Sequence, residues 1–123
     1  MFQSSISFET TVLRFSGLYD EQRHPGNFIK KDRTIQNPEG FVNQIHKEDC
    51  IGIITEIIKQ NSWGEIFNAS SDNHPKRNVF YTAQTKLLGK ESPKFDYSKP
   101  TQFKIISNAK LNNVLDYSFK HTI

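Results

Sequence analysis

Apolar positions change their spacing twice between Phe41 and Ser71, and the two changes mark three consecutive elements. Val42 and Ile45 sit in a short extended segment, Phe41–His46. From Lys47 onward, Cys50, Ile51, Ile53, Ile54, Ile57 and Ile58 recur at the spacings that place apolar groups on one face of a helix. Glu48 and Asp49 put two carboxylates in the first turn, where unpaired N–H groups and the helix dipole favour negative charge. Asn61-Ser62 and Gly64 are stop signals, so a helix over 47–60 is predicted. Glu65–Ala69 returns to an extended pattern, with Ile66 and Phe67 available for burial. A helix between two strands is the crossover unit of a parallel sheet, so this stretch is α/β.

The flanks extend the pattern in both directions. Met1–Glu9 is polar and reads as a loose lead-in. Thr10–Phe15 is β-branched and aromatic and ends at Ser16-Gly17; its Val12, Leu13 and Phe15 suit a central strand buried on both faces. Glu65–Ala69 is the one good partner for it. Tyr19–Gly40 is irregular, with turns at 20–26 and 37–40 and one or two helical turns over Asn27–Arg33. A long polar loop after a strand's carboxyl end is a place where ligands bind in α/β sheets. Ser70–Pro75 supplies caps for a second helix, with Val79, Phe80, Ala83, Leu87 and Leu88 inward and Gly89 as its stop. Glu91–Thr101 is a connector and Phe103–Ile106 a short strand. Ser107 caps a last helix with Leu111, Val114 and Leu115 inward, and Asp116–Ile123 is irregular.

Composition narrows the setting. The 123 residues make one domain, or part of a larger one, and the 35% hydrophobic content is low for an α/β domain that stands alone. Sixteen Lys and Arg against thirteen Asp and Glu give +3, but the cations are scattered rather than clustered, which disfavours nucleic-acid binding. One cysteine cannot form an internal disulfide, so a reduced, cytoplasmic setting is expected, with no membrane span. His46, beside Glu48 and Asp49, reads as closing a hydrogen bond at the strand-to-helix junction, with Asp49 capping the helix, rather than as a base. His24, His74 and His121 are too dispersed for a zinc site, and Ser16-Gly17 is no nucleophile elbow.

Four segments carry a resemblance: Thr11–Tyr19 (TVLRFSGLY), Val42–Asp49 (VNQIHKED), Gly64–Asn68 (GEIFN) and Ser107–Leu111 (SNAKL). In this order and spacing the chain resembles the C-terminal part of the extended short-chain dehydrogenase/reductases, and among them the NAD-dependent epimerase/dehydratase family. The resemblance implies a partial parallel sheet with crossover helices, the substrate-side portion of a Rossmann-type fold, and NAD(P) as cofactor. It matches Phe15, Ser16 and Gly17 to the strand end beside the nicotinamide, and Leu18, Tyr19 and Arg23 to the start of the substrate pocket. Two family features are missing. The glycines (17, 26, 40, 52, 64, 89) are never closer than nine residues, so no Gly-rich phosphate turn exists. The four tyrosines are followed four residues later by Arg23, Thr85, Thr101 and His121, so no Tyr-x-x-x-Lys exists. The implied reading is a portion of a nucleoside-diphosphate-sugar epimerase or dehydratase that is inactive alone. Its expected partner is another copy, through the open edge of Thr10–Phe15, or a separate chain bearing the cofactor-binding half. The alternative is a stand-alone oligomeric interaction module that has lost the chemistry.

Overall fold

A computed structural model of the chain describes residues 9–29 and 33–123. Expectations for Met1–Phe8 and for Lys30–Asp32 lie outside them. The elements are β1 (Val12–Phe15), β2 (Gly17–Tyr19), a 3-10 turn (Pro25–Asn27), β3 (Thr34–Ile35), β4 (Gln44–His46), α1 (Lys47–Lys59), β5 (Ile66–Ala69), α2 (Arg77–Leu87), β6 (Lys94–Phe95) and α3 (Ala109–Leu115). Three parallel pairs form: β1 with β5, β2 with β4, and β3 with β6. The crossover over Phe41–Ser71 is present as β4–α1–β5. Asn61 and Gly64 take left-handed φ values of 50° and 75° just past the end of α1, as stop residues do.

The chain switches partners at Ser16. Its N–H donates to Ala69 O of β5, while the Gly17 N–H donates to Asn43 O beside β4. The Ser71 N–H donates to Gln44 O, so β4 is wedged between β2 and the chain leaving β5. This fork brings the carboxyl ends of β2 and β4 together.

The main core lies on one face of β1–β5. Ile45, Cys50, Ile53, Ile57, Phe67, Ala69, Leu111 and Leu115 are buried there, with Leu13, Tyr117 and Phe119 packed against them. A second cluster joins Ile35, Val42, Phe80 and Tyr81 under α2.

Several expectations are corrected. β1 is not buried on both faces: Val12 is 41% and Phe15 43% exposed, and among the described residues β1 pairs with β5 alone. Only Cys50, Ile53 and Ile57 of α1 reach the core, and Ile51, Ile54 and Ile58 are exposed. Six positions span too wide an arc for a helix resting on so narrow a sheet. On α2 the buried residues are Phe80, Tyr81 and Thr85, while Val79, Ala83, Leu87 and Leu88 are exposed. Its N-cap is Lys76, without a side-chain bond, because Ser70 and Ser71 are buried at the end of β5. On α3, Leu111 and Leu115 are buried but Val114 is exposed, and the N-cap is Asn108 without a side-chain cap bond rather than Ser107, whose Oγ accepts from the Ala109 N–H. A 3-10 turn forms at Pro25–Asn27, and the expected helical turns over Asn27–Arg33 fall partly on residues outside the description.

Phe103–Ile106 is not a strand. Two asparagine side chains take the place of a strand partner. Asn37 donates to Gln102 O and accepts from its N–H, and Asn43 donates to Lys104 O and accepts from the Ile106 N–H. The segment is extended but tethered by amides rather than by a ladder.

The tail 116–123 is irregular yet packed. Fully buried Asp49 does not cap α1. Its carboxylate accepts from Tyr117 Oη (2.7 Å), the Lys120 N–H (2.8 Å) and the His121 N–H (3.1 Å). Asn73 holds both the N–H and the carbonyl of Ile123. Gly52 is required by the same packing, since a Cβ there would lie 3.0 Å from Tyr117 Cε1 and closer to its hydroxyl. Alanine gains about 1 kcal/mol of helix propensity, but overpacking costs about 1–3 kcal/mol. Gly52→Ala is therefore expected to lower the thermal midpoint in the wild-type background and to raise it in a Tyr117→Ala background. A rise in both would contradict this account of the tail.

Candidate functional site

A cleft of about 300 Å³ opens at the carboxyl ends of β2 and β4, lined by Tyr19, Asp20, His24, His46, Phe80 and His121 among others. Strand β2 ends on Tyr19 and β4 ends on His46, and the two are register partners. The Tyr19 ring stands edge-on to the His46 ring, with centroids 5.0 Å apart at 88°. The junction with α1 then fixes the imidazole. His46 Nδ1 accepts from the Glu48 N–H at 3.0 Å and so caps the helix, the role expected of Asp49. With Nδ1 an acceptor, the neutral ring carries its proton on Nε2.

The tail supplies another wall. His121 stacks on His46, with ring centroids 3.6 Å apart and planes 10° from parallel, and its Nε2 lies 3.3 Å from Glu48 Oε2. No local signal marks this meeting, because the two residues are far apart in the chain and the tail has no periodicity. His46, Glu48 and His121 offer ligand atoms within 4.8 Å of one another. Imidazoles bind an ion along in-plane lone pairs at about 2.0–2.1 Å, and parallel stacked rings cannot aim two of these at one point. His46 Nδ1 is also committed to the helix. The trio as placed is a hydrogen-bonded stack rather than a metal centre.

The residues matched by resemblance fall into different places. Tyr19 lines the cleft. Arg23 turns away from it, donating from Nε to Leu18 O and resting 5.0 Å over the Phe28 ring, while its N–H bonds to Asp20 Oδ1. Leu18 is exposed and outside the lining. Phe15 and Ser16 line a separate groove of about 410 Å³ with Arg14, Asn68, Lys104 and Ile105. Ser16 Oγ is buried there without a hydrogen-bond partner among the described residues. Gly17 lies between the two, close against Asn43 O. Asp20, Phe80 and His121 are among the cleft residues that the sequence reading did not place there, and only their proximity in space shows them.

Burial, then the nearby Asp49 charge, pushes the Tyr19 phenol up to about 12. Burial and Asp49 likewise push the Cys50 thiol up to about 11, and the Tyr117 phenol is raised by burial and by its bond to Asp49. Tyr19 is therefore a neutral hydrogen-bonding phenol at physiological pH. The sign for stability follows. The unfolded chain ionises these groups near their ordinary values while the folded chain keeps them protonated. Their contribution is complete below about pH 9, falls as Cys50 ionises between its ordinary value of 9.0 and about 11, and falls further as Tyr19 ionises between 10.0 and about 12. Urea unfolding across alkaline pH is expected to show this slope, and Tyr19→Phe with Cys50→Ala to flatten it. An unchanged slope in the double variant would remove the assignment.

Among the described residues, no helix is long and apolar enough to cross a membrane. No protein-family model matches the chain. Protein YeeZ of Escherichia coli K12 is 38% identical over 111 residues, 89% of this chain and 40% of YeeZ. The chain thus spans about two fifths of the length of the curated relatives it matches. UDP-N-acetylglucosamine 4-epimerase from Bacillus cereus superposes with a TM-score of 0.68 at 15% identity, over 91% of this chain and 41% of that one. The dTDP-glucose 4,6-dehydratase from Bacillus anthracis, solved with NAD, gives 0.66 at 18%, over 91% and 40%. The fold is that of part of the Rossmann-type epimerase/dehydratases, as the sequence resemblance implied.

Proposed function

We propose that the chain is the substrate-facing portion of an NAD(P)-dependent enzyme that epimerises or dehydrates nucleoside-diphosphate sugars. The observation that carries this reading is the cleft at the carboxyl ends of parallel β2 and β4, the position where α/β sheets bind ligands, in a chain with this fold. Its groups suit a polyhydroxylated ligand. The Tyr19 hydroxyl and the His46 Nε2–H are donors, and the Asp20 carboxylate is an acceptor.

The residues present do not fit the dinucleotide as a whole. Its pyrophosphate needs a helix N-terminus approached by glycines. Here the β4–α1 junction has no glycine, and the His46 ring takes up the Glu48 N–H in the first turn of α1. No step through the cofactor is assigned to this chain, and by itself it is inactive. Phe15 and Ser16 lie at the groove where the nicotinamide end would approach from a separate half.

Proton NMR of the chain titrated with UDP-N-acetylglucosamine tests the substrate reading. Shifts are expected at the Tyr19 and His46 ring signals, weakened about tenfold in affinity by Tyr19→Phe, the size of one hydrogen-bond loss of about 1.4 kcal/mol. Shifts confined to other residues, or none, would refute it.

A further inference from the structure

We infer that His121 is a positioning residue of the cleft, clamping the His46 ring with its Nε2–H toward a ligand oxygen, and that a second proton on this imidazole pair releases the clamp. The inference rests on the proposed function for the identity of the ligand and on this chain's geometry for the clamp.

The His46 ring is fixed on its edge, its face and one nitrogen. Nδ1 accepts from the Glu48 N–H at 3.0 Å, and the Tyr19 ring meets it edge-on with centroids 5.0 Å apart. His121 covers its face, with centroids 3.6 Å apart and planes 10° from parallel. Nε2 is the ring nitrogen left for the cleft, which His46 lines. His121 is held in turn: its N–H donates to buried Asp49 Oδ2 at 3.1 Å, and its Nε2 lies 3.3 Å from Glu48 Oε2. Glu48 thus serves both rings, its N–H for His46 and its carboxylate for His121.

The stack accommodates one proton, on His121, whose Nε2–H then makes a charge-assisted bond to Glu48. A second proton must go to His46. An imidazolium has two N–H donors and no acceptor, so the bond from the Glu48 N–H is lost. Two positive rings then lie face to face and repel. The other charged groups around the pair do not offset this. Asp20 accepts from the Arg23 N–H and lies 4.0 Å from Lys47 Nζ, and Asp49 is filled by donors of the tail. Glu21 is exposed, Lys120 adds a like charge from the tail, and His24 gains one in the same acidic range. From α2 the cleft receives Phe80 and Gln84, which carry no charge. Acid therefore opens the tail and lets the His46 ring turn.

Hydrogen exchange of the Lys120 and His121 amides, both bonded to Asp49, reads the tail without any ligand. Relative to intrinsic exchange, their protection in the wild-type chain is expected to fall about tenfold or more from pH 8 to pH 5, the range in which imidazoles change charge. His121→Phe keeps a flat ring that takes no proton and attracts a charged His46, so its protection should change by less than about threefold. His121→Ala should be unprotected at both pH values. A His121→Phe tail that opens with acid as wild type does would trace the opening to the carboxylates and overturn the inference, as would a wild-type tail equally protected throughout. Titration with UDP-N-acetylglucosamine at pH 8, followed at the His46 ring signals, reads the positioning. His121→Ala should weaken binding about tenfold and His121→Phe restore most of it, and equal affinity in all three overturns the role. If the exchange pattern holds but no variant or wild-type chain binds the nucleotide sugar, the clamp stands and the proposed function fails.

Discussion

Asp49→Ala is expected to destabilise the protein by about 3–5 kcal/mol, the cost of removing one side of a buried, multiply bonded charge. The carboxylate is fully buried and accepts from three donors, two of them backbone N–H groups of the tail that bond to no other group among the described residues. Deleting it leaves those donors unpaired and frees 117–123, and with them the His121 wall of the cleft. For a chain of this length the loss corresponds to a fall of roughly 10–20 °C in thermal midpoint. Asp49→Asn keeps the volume but turns an amide N–H₂ toward donors, so it should recover only part of the loss. Limited proteolysis should cut the tail first in both variants. An Asp49→Ala protein as stable and as protease-resistant as wild type would disprove the anchoring role.

Phe67→Ala should cost about 3–5 kcal/mol, the usual range for deleting a buried phenylalanine. Its side chain is fully buried in the main core, where α1, α3 and β5 meet, and Lys110 Nζ lies 5.7 Å from the ring centroid. Ile66→Ala, one residue earlier on the open face of the same strand, removes far less buried surface and should cost well under half as much. Denaturant midpoints at constant slope would measure both. Equal costs for the two would mean that the open face is covered in solution.

What could be read in the sequence was what local chemistry determines. The β4–α1–β5 unit was legible because the isoleucine spacing, the acidic first turn and the Asn61–Gly64 stop all act within a few residues. The pairing of β1 with β5 followed from there being one suitable partner. The orientation of helix faces was not legible, since which half of a wide apolar arc is buried depends on how many strands lie beneath it. That is why Ile51, Ile54 and Ile58 came out exposed. Phe103–Ile106 has strand composition, but whether it joins a ladder depends on Asn37 and Asn43, some sixty residues earlier (|i−j| of 65 and 63). The site was half legible. His46 ends a strand that the pattern marks and Tyr19 came from the resemblance, while His121 and the stacked imidazoles depend on the tail folding back, for which no local signal exists.

The most direct measurement of the central claim is a fluorescence titration of NADH into the chain alone and into its complex with the YeeZ segment outside the match. On the proposed function, binding is expected only in the complex, because the chain has a cleft at the ends of β2 and β4 but no Gly-rich turn to hold a pyrophosphate. Saturable NADH binding, or turnover of a nucleotide sugar, by the chain alone would contradict it.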